Sequence, residues 1–153
     1  MSKRILSAAL VLVLMLSVFP SGAVAATEVK STEIIQFEDG SSLEIIIEKS
    51  AARGPSTVNG SKTYTFKDGS GNIDWQAKLT ATFNYSGAWY TCSVANCTVT
   101  VNDSQWYVVS NNTIRSSNNA QTNLTMGLKV LGVTVNTTQY TIKLTCDNNG
   151  NLS

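Results

Sequence analysis

Residues 73–85, IDWQAKLTATFNY, alternate apolar and polar side chains almost without a break. Ile73, Trp75, Ala77, Leu79, Ala81, Phe83 and Tyr85 share one parity, and Asp74, Gln76, Lys78, Thr80, Thr82 and Asn84 share the other. A period of two puts successive side chains on opposite faces of a strand, one dry and one wet. At ~3.3 Å per residue such a strand runs about 43 Å, long enough to predict a bend within it. The apolar parity is the core face, and Trp75 is its anchor. Further short alternating runs follow: TYTF, AWYTCSV, CTVTV with a slip of parity at Ala95-Asn96, QWYVVS, LTMGLKVLGVTV and QYTIKLTC. The slip predicts a turn or bulge there, and NNTIRSSNNAQTN reads as a polar loop region with at most one short strand. No segment carries an apolar stripe of helical period. The pattern predicts an all-β chain folded as an antiparallel β-sandwich, Ig-like or a partly closed barrel.

Lys3 and Arg4, the apolar run from Ile5 to Phe19, the break at Pro20-Ser21-Gly22 and the small residues Ala23-Val24-Ala25 have the order of a secretory signal peptide. Residues 1–25 are therefore expected to be cleaved and the mature chain secreted, with no stable membrane span and no lipid-anchoring cysteine after the cut. Residues 26–49 read as an acidic β-hairpin around Asp39-Gly40, with Leu43, Ile45 and Ile47 on one parity of its second arm. Glu28, Glu33, Glu38, Asp39, Glu44 and Glu48 face only Lys30 and Lys49 there, the charge pattern of a solvated edge that resists aggregation. Residues 50–62, SAARGPSTVNGSK, lack periodicity and read as a linker. Residues 63–153 then form the sandwich domain. Asn-x-Ser/Thr triplets recur from Asn59 to Asn136, as so Asn- and Thr-rich a composition dictates.

The three cysteines are Cys92, Cys97 and Cys146. An odd set in an exported chain predicts one disulfide and one leftover thiol. Cys92 and Cys146 both lie on strand faces with apolar neighbours. Linking them closes a loop of about 55 residues, worth ~4 kcal/mol on the chain-entropy model against ~2 for Cys92–Cys97. The Cys92–Cys146 pair is therefore favoured, with Cys97 an inert buried thiol beside Val99 and Val101. Three cysteines without histidine make a poor zinc site, so no metal or other cofactor is expected.

The chain has no histidine, which removes Ser–His and Cys–His nucleophile arrangements. A paired-carboxylate hydrolase remains open in principle through acids such as Asp74 and Asp103. Asp74 lies on the wet parity four residues from Lys78, which reads as ordinary solvation, and Asp68 and Asp147 read as turn residues. No catalytic residue is assigned, and the chain is not expected to be an enzyme. Near-balanced charge and the lack of a basic run exclude a nucleic-acid footprint. Aromatic residues offer a binding surface instead. Tyr85, Trp89 and Tyr90 surround the Ser86-Gly87 turn, and Trp106-Tyr107 puts one ring on each face of its strand. Trp89, Tyr90 and Trp106 are the candidates for stacking on a sugar or anchoring a protein. The function expected is a non-catalytic extracellular interaction protein whose partner is a protein or a glycan, with a carbohydrate-binding module as the alternative.

EDGSSLEIIIE, GSKTYTFKDGSGNIDWQAKLTATFNYSG and KVLGVTVNTTQYTIKLTCDNNGNLS together resemble a group of small exported proteins of Gram-positive, clostridia-like bacteria. The shared features are the Gly-Ser-Lys-Thr-Tyr opening at Gly60–Tyr64, a tryptophan early in the next strand at Trp75, and the Leu-Thr-Cys…Asn-Gly-x-Leu-Ser ending at Leu144–Ser153. A mid-chain cysteine after threonine, Cys92, also fits, which suits the Cys92–Cys146 pair, whereas Cys97 stands as an addition. The resemblance spans the whole chain and implies export and a β-rich fold; it implies no activity.

Overall fold

The computed structural model describes residues 27–51 and 56–153. The expected signal peptide, residues 1–25, lies outside them. Among the described residues the chain forms eight antiparallel strands: β1 (Thr27–Gln36), β2 (Ser42–Ala51), β3 (Thr57–Lys67), β4 (Ile73–Tyr85), β5 (Tyr90–Val101), β6 (Trp106–Arg115), β7 (Asn119–Val130) and β8 (Val133–Thr145). Strands β1 to β5 lie in sequence order in one sheet, and β6 to β8 lie in sequence order in a second. Each connection is short because antiparallel neighbours need only a turn.

The turns carry the chemistry their shapes require. Gly40 (φ +85°) and Gly71 (φ +86°) supply the left-handed residue of the β1–β2 and β3–β4 turns. Asp39 Oδ1 accepts from the Ser41 amide at 3.0 Å, and Asp68 Oδ1 accepts from the Ser70 and Asn72 amides, each at 2.8 Å. Asp147 repeats the Asp68 arrangement, accepting from the amides of Asn149 (2.9 Å) and Asn151 (2.8 Å). That turn folds Leu152 back against Cys146 as an extra antiparallel bridge on β8.

The β7–β8 turn breaks the rule. Leu131 and Gly132 both have positive φ, 51° and 80°, and Val130 pairs with Val133 across them, so this is a two-residue turn of the kind that favours Asn-Gly. Leu131 is 98% exposed and packs on nothing. Replacing it with asparagine keeps the turn and relieves the backbone, so Leu131→Asn is expected to stabilise the protein by ~0.5–1 kcal/mol. Urea unfolding checks this; a midpoint no higher than that of the parent protein would show that Leu131 is not strained.

From Trp75 onward the apolar parity of residues 73–85 is the core face, as the alternation predicts, whereas Ile73, ahead of the bulge at Asp74, is 42% exposed. Trp75, Ala77, Leu79 and Phe83 are fully buried, and Leu43, Ile45, Ile47 and Val58 join them from β2 and β3. Ala120, Leu124 and Met126 of β7, with Ile142 and Leu144 of β8, complete the same apolar cluster from the other sheet. Trp75 meets Tyr140 across the two sheets at 5.0 Å between ring centroids. On another side, the Asn111 side-chain amide donates to the Cys97 carbonyl and ties β6 to β5. The described side chains of β1, by contrast, are exposed on both faces. This strand is held by its ladder to β2 alone.

Three expectations change. Residues 57–62 are not linker: they form the first half of β3, paired to β2 and β4. Gly60, which reads as a loop glycine, is there because a Cβ would strike the Leu144 and Leu152 side chains. Hairpin β1–β2 is accordingly continuous with the later strands, and the apolar residues of its second arm, Leu43, Ile45 and Ile47, sit in the common core. Second, residues 111–123 are not a polar loop region: they are the end of β6 and the start of β7, which extend the strands expected on either side. Thr113 and Thr122 share a hydroxyl–hydroxyl bond of 2.8 Å across them, and polar side chains hid the alternation. Third, the bulge in β5 falls at Ser93, not at Ala95-Asn96: Thr82 pairs with Val94 and Phe83 with Cys92, leaving Ser93 extra. The inserted residue shifts the parity, so Cys92 and Cys97 are both buried on the inner side despite their odd spacing.

Candidate functional site

The turns after β1, β3 and β5 gather at one end of the molecule with the β7–β8 hairpin. Asn102 and Asp103 donate their amides to the Asp74 carbonyl at 2.8 and 3.0 Å, and the Lys129 amide donates to the Gln105 carbonyl at 2.8 Å. Between these turns opens a hollow of about 240 Å³ walled by Phe37, Phe66, Trp106, Leu128 and Tyr140, with Asp39, Ser41, Asn136 and Thr138 at its polar edge. An adjoining hollow of about 320 Å³ shares Asp39, Ser41, Phe66, Trp106 and Leu128 and adds Asp68, Asp74, Asp103 and Gln105.

The rings form a continuous packed set. Phe66 stacks on Trp75 at 5.6 Å with an interplanar angle of 3°. Phe66 also meets Trp106 at 5.2 Å and 58°, and Phe37 at 6.0 Å and 40°. Trp75 is completely buried behind them, so Trp106, Phe66, Tyr140 and Phe37 present aromatic surface to the hollow from a rigid backing.

Asp74 is the polar centre of this cleft. Phe66 pairs with Trp75 and Lys67 with Ile73, which leaves Asp74 as the extra residue of a β-bulge. A bulge re-aims a side chain. Asp74 therefore does not lie on the wet face beside Lys78, where strict alternation puts it: it is 8% exposed, and its Oδ2 accepts a 3.0 Å bond from Trp106 Nε1. Burial pushes its pKa above the ordinary aspartate value. The Trp106 bond opposes that shift, and the nearby charges of Asp103 and Asp68 add to it. Asp39 and Asp68 are held below the usual range by donors of their own turns, Ser41 and Asn72.

Of the aromatic residues expected to bind a ligand, only Trp106 is in the cleft. Trp89 (52% exposed) and Tyr90 (39% exposed) belong to the β4–β5 turn. That turn lies a strand's length from Trp106, on the order of 40 Å for a strand like β4, so the three do not form one platform. The acids Asp74 and Asp103, by contrast, come together along one hollow. Phe37, Phe66 and Tyr140 escaped the sequence reading because each looks like an ordinary member of a strand's alternation; the signal that was available is that Phe37 and Phe66 each stand two residues before an Asp-Gly pair.

A second depression of about 300 Å³ lies on the outer face of the five-stranded sheet over Ser61, Thr80, Thr82, Lys78 and Glu48. Its polar groups already satisfy one another: Ser61 and Lys78 donate to Glu48 (2.9 and 3.0 Å), Thr82 donates to Asn59 and Thr80 to the Asn96 carbonyl. Among the described residues no three His, Cys, Asp or Glu side chains converge as metal ligands.

Cys92, Cys97 and Cys146 are free thiols, where the sequence predicts a Cys92–Cys146 bond. Cys92 Sγ donates to the Val94 carbonyl at 3.2 Å and Cys146 Sγ to the Asp147 carbonyl at 3.3 Å. Burial raises the pKa of all three, that of Cys146 to about 11 with a contribution from Asp147.

Comparison of the chain with protein-family models, with curated proteins and with solved structures returned no match. The chemistry of the cleft is therefore read from its own residues. Four aromatic walls favour the apolar face of a ligand, and the buried carboxylate favours a hydrogen-bond donor or a cation.

Proposed function

We propose that the chain is exported and acts outside the cell as a non-catalytic binding protein, its ligand seated in the turn-end cleft. The observation that carries this reading is the convergence of Phe37, Phe66, Trp106 and Tyr140 on one open hollow. Cavities of this kind, mostly apolar with a few placed polar groups, are the usual form of a ligand site. The signal-like residues 1–25 support export. On this reading the two sheets are the layers of a β-sandwich, tied along β5 and β6 and open beside β8 in the manner of a partly closed barrel. The Trp75–Tyr140 contact and the common core support that arrangement. The partner is a glycan or protein of the extracellular space, and Cys92–Cys146 closes as a disulfide on export, with Cys97 left as a thiol.

Tryptophan fluorescence titrated with a panel of soluble wall and plant oligosaccharides and extracellular peptides tests the reading. Trp106→Ala is expected to weaken any binding at least about tenfold, as loss of a central aromatic anchor does, while Trp89→Ala leaves it unchanged. Loss of binding in Trp89→Ala but not in Trp106→Ala would move the site to the other end of the molecule, and silence across the whole panel would remove it.

A second reading, a carboxylate hydrolase, is favoured by one observation: Asp74, with its raised pKa, and Asp103 line the same hollow, and two carboxyls along one hollow are what an acid–base pair requires. Release of product from a glycoside panel, abolished in both Asp74→Asn and Asp103→Asn, would establish it in place of simple binding.

A further inference from the structure

We propose that the cleft takes an organic ammonium group, packed against the rings of Trp106 and Phe66 and paired with the Asp74 carboxylate, all three of which line the same hollow. This names a ligand class for the binding reading above and rests on it. Three observations converge. The first is Asp74 itself, drawn into the cleft by the bulge and more than nine-tenths buried. Its Oδ2 is taken by Trp106 Nε1, whereas no donor among the described residues reaches its Oδ1. Oδ1 is therefore open to a ligand, and a positively charged partner there would offset the hydration the carboxylate has lost.

The second observation is that the described residues along the cleft supply no such partner. The ionisable side chains along the two hollows are Asp39, Asp68, Asp74 and Asp103, with no lysine or arginine among them. Two lysines at this end of the molecule are committed elsewhere: Lys129 Nζ lies 4.2 Å from the Tyr107 ring centroid, and Lys67 pairs with Glu44 at 2.8 Å. The third is the wall. Aromatic faces attract a cation through their quadrupole, tryptophan most strongly, and an alkylammonium buries its methyl or methylene groups against the same rings. A metal ion would need several converging oxygens. Here Asp39, Asp68 and Asp103 turn oxygens back to the amides of Ser41, Ser70 and Gln105 in their own turns. A neutral sugar would donate hydroxyls to Asp74 but bring no positive charge to it or to the rings.

Calorimetric titration of the full chain with choline and with its neutral carbon isostere, 3,3-dimethylbutan-1-ol, tests the proposal. Choline is expected to bind at least about tenfold more tightly than the isostere, and to weaken as salt is raised while the isostere does not. Asp74→Asn keeps an acceptor for Trp106 Nε1 and removes the charge. It should weaken choline about tenfold and leave the isostere nearly unchanged; the salt comparison on the parent protein decides the matter if that variant does not fold. Nα-acetyl-lysine methylamide in parallel separates the two sources of the group, a free small molecule or a protein side chain, and tight binding of either supports the proposal. Equal affinity for choline and the isostere would overturn it while leaving the cleft a binding site for uncharged ligands. No binding of either overturns it too. In that case the oligosaccharide panel, read through Trp106, shows whether the wider binding reading falls with it.

Discussion

Trp75→Ala is expected to remove about 4 kcal/mol of stability, the largest single effect of any substitution in the core. The indole is wholly buried. It stacks on Phe66, meets Trp106 at 6.3 Å and Tyr140 at 5.0 Å, and so joins residues of both sheets. Alanine leaves a cavity that strands pinned by hydrogen-bonded ladders cannot collapse to fill, and so large a loss is a substantial part of the ~5–15 kcal/mol that holds a domain of this size together. The same site makes a sharper comparison. Trp75 Nε1 is buried without a hydrogen-bond partner among the described residues, and an unmade bond at a buried donor itself costs ~1–3 kcal/mol. Trp75→Phe gives up volume but also removes that donor, so it is expected to cost less than about 2 kcal/mol. Urea unfolding of both variants measures the difference. A Trp75→Ala cost near 1 kcal/mol would mean that the two sheets do not share a core through this residue.

The fold was legible wherever one strand face is greasy and the other wet. Residues 73–85 declared β4 and its inner face, and Leu43, Ile45 and Ile47 declared β2. It was illegible where small or polar residues fill a strand for local reasons: Gly60 lies under Leu144 and Leu152, and Thr113 and Thr122 satisfy each other across β6 and β7. The cleft was hidden for a different reason. Strict alternation assigns Asp74 to solvent, and only the single extra residue at the β3–β4 bulge reverses it, an event decided by pairing with another strand. Trp106 could be picked out from its strand position. Its neighbours Phe37, Phe66 and Tyr140 could not, because what joins them is the meeting of β1–β2, β3–β4 and β8 in space.

Oxidation of Cys92 and Cys146 to a disulfide is expected to raise the unfolding free energy by about 4 kcal/mol, since the loop closed is long and the reduced unfolded chain gains that much freedom. The strands that carry the two thiols flank one turn: the Cys92 amide donates to the Ser117 carbonyl at 2.7 Å and the Cys146 amide to the next carbonyl, Asn118, at 2.9 Å. The charge of one sulfur raises the pKa of the other, which sets the two within electrostatic reach. Cys97 sits further along β5. Burial also makes the reaction slow in the folded protein, because the thiolate is the attacking form and a Cys146 pKa of about 11 leaves little of it near neutral pH. Exchange with a small disulfide such as oxidised glutathione, which takes up the two protons and two electrons as reduced thiols, should therefore run faster at alkaline pH or from the unfolded chain than from the native state. Peptide mapping after alkylation under denaturing conditions should find Cys92 joined to Cys146 and Cys97 alone labelled, and reduction of that product should lower the urea midpoint to that of a Cys92→Ser, Cys146→Ser variant lacking the bond. A map joining Cys97 to either partner would overturn the pairing, and so would oxidised and reduced chains that unfold at the same urea concentration.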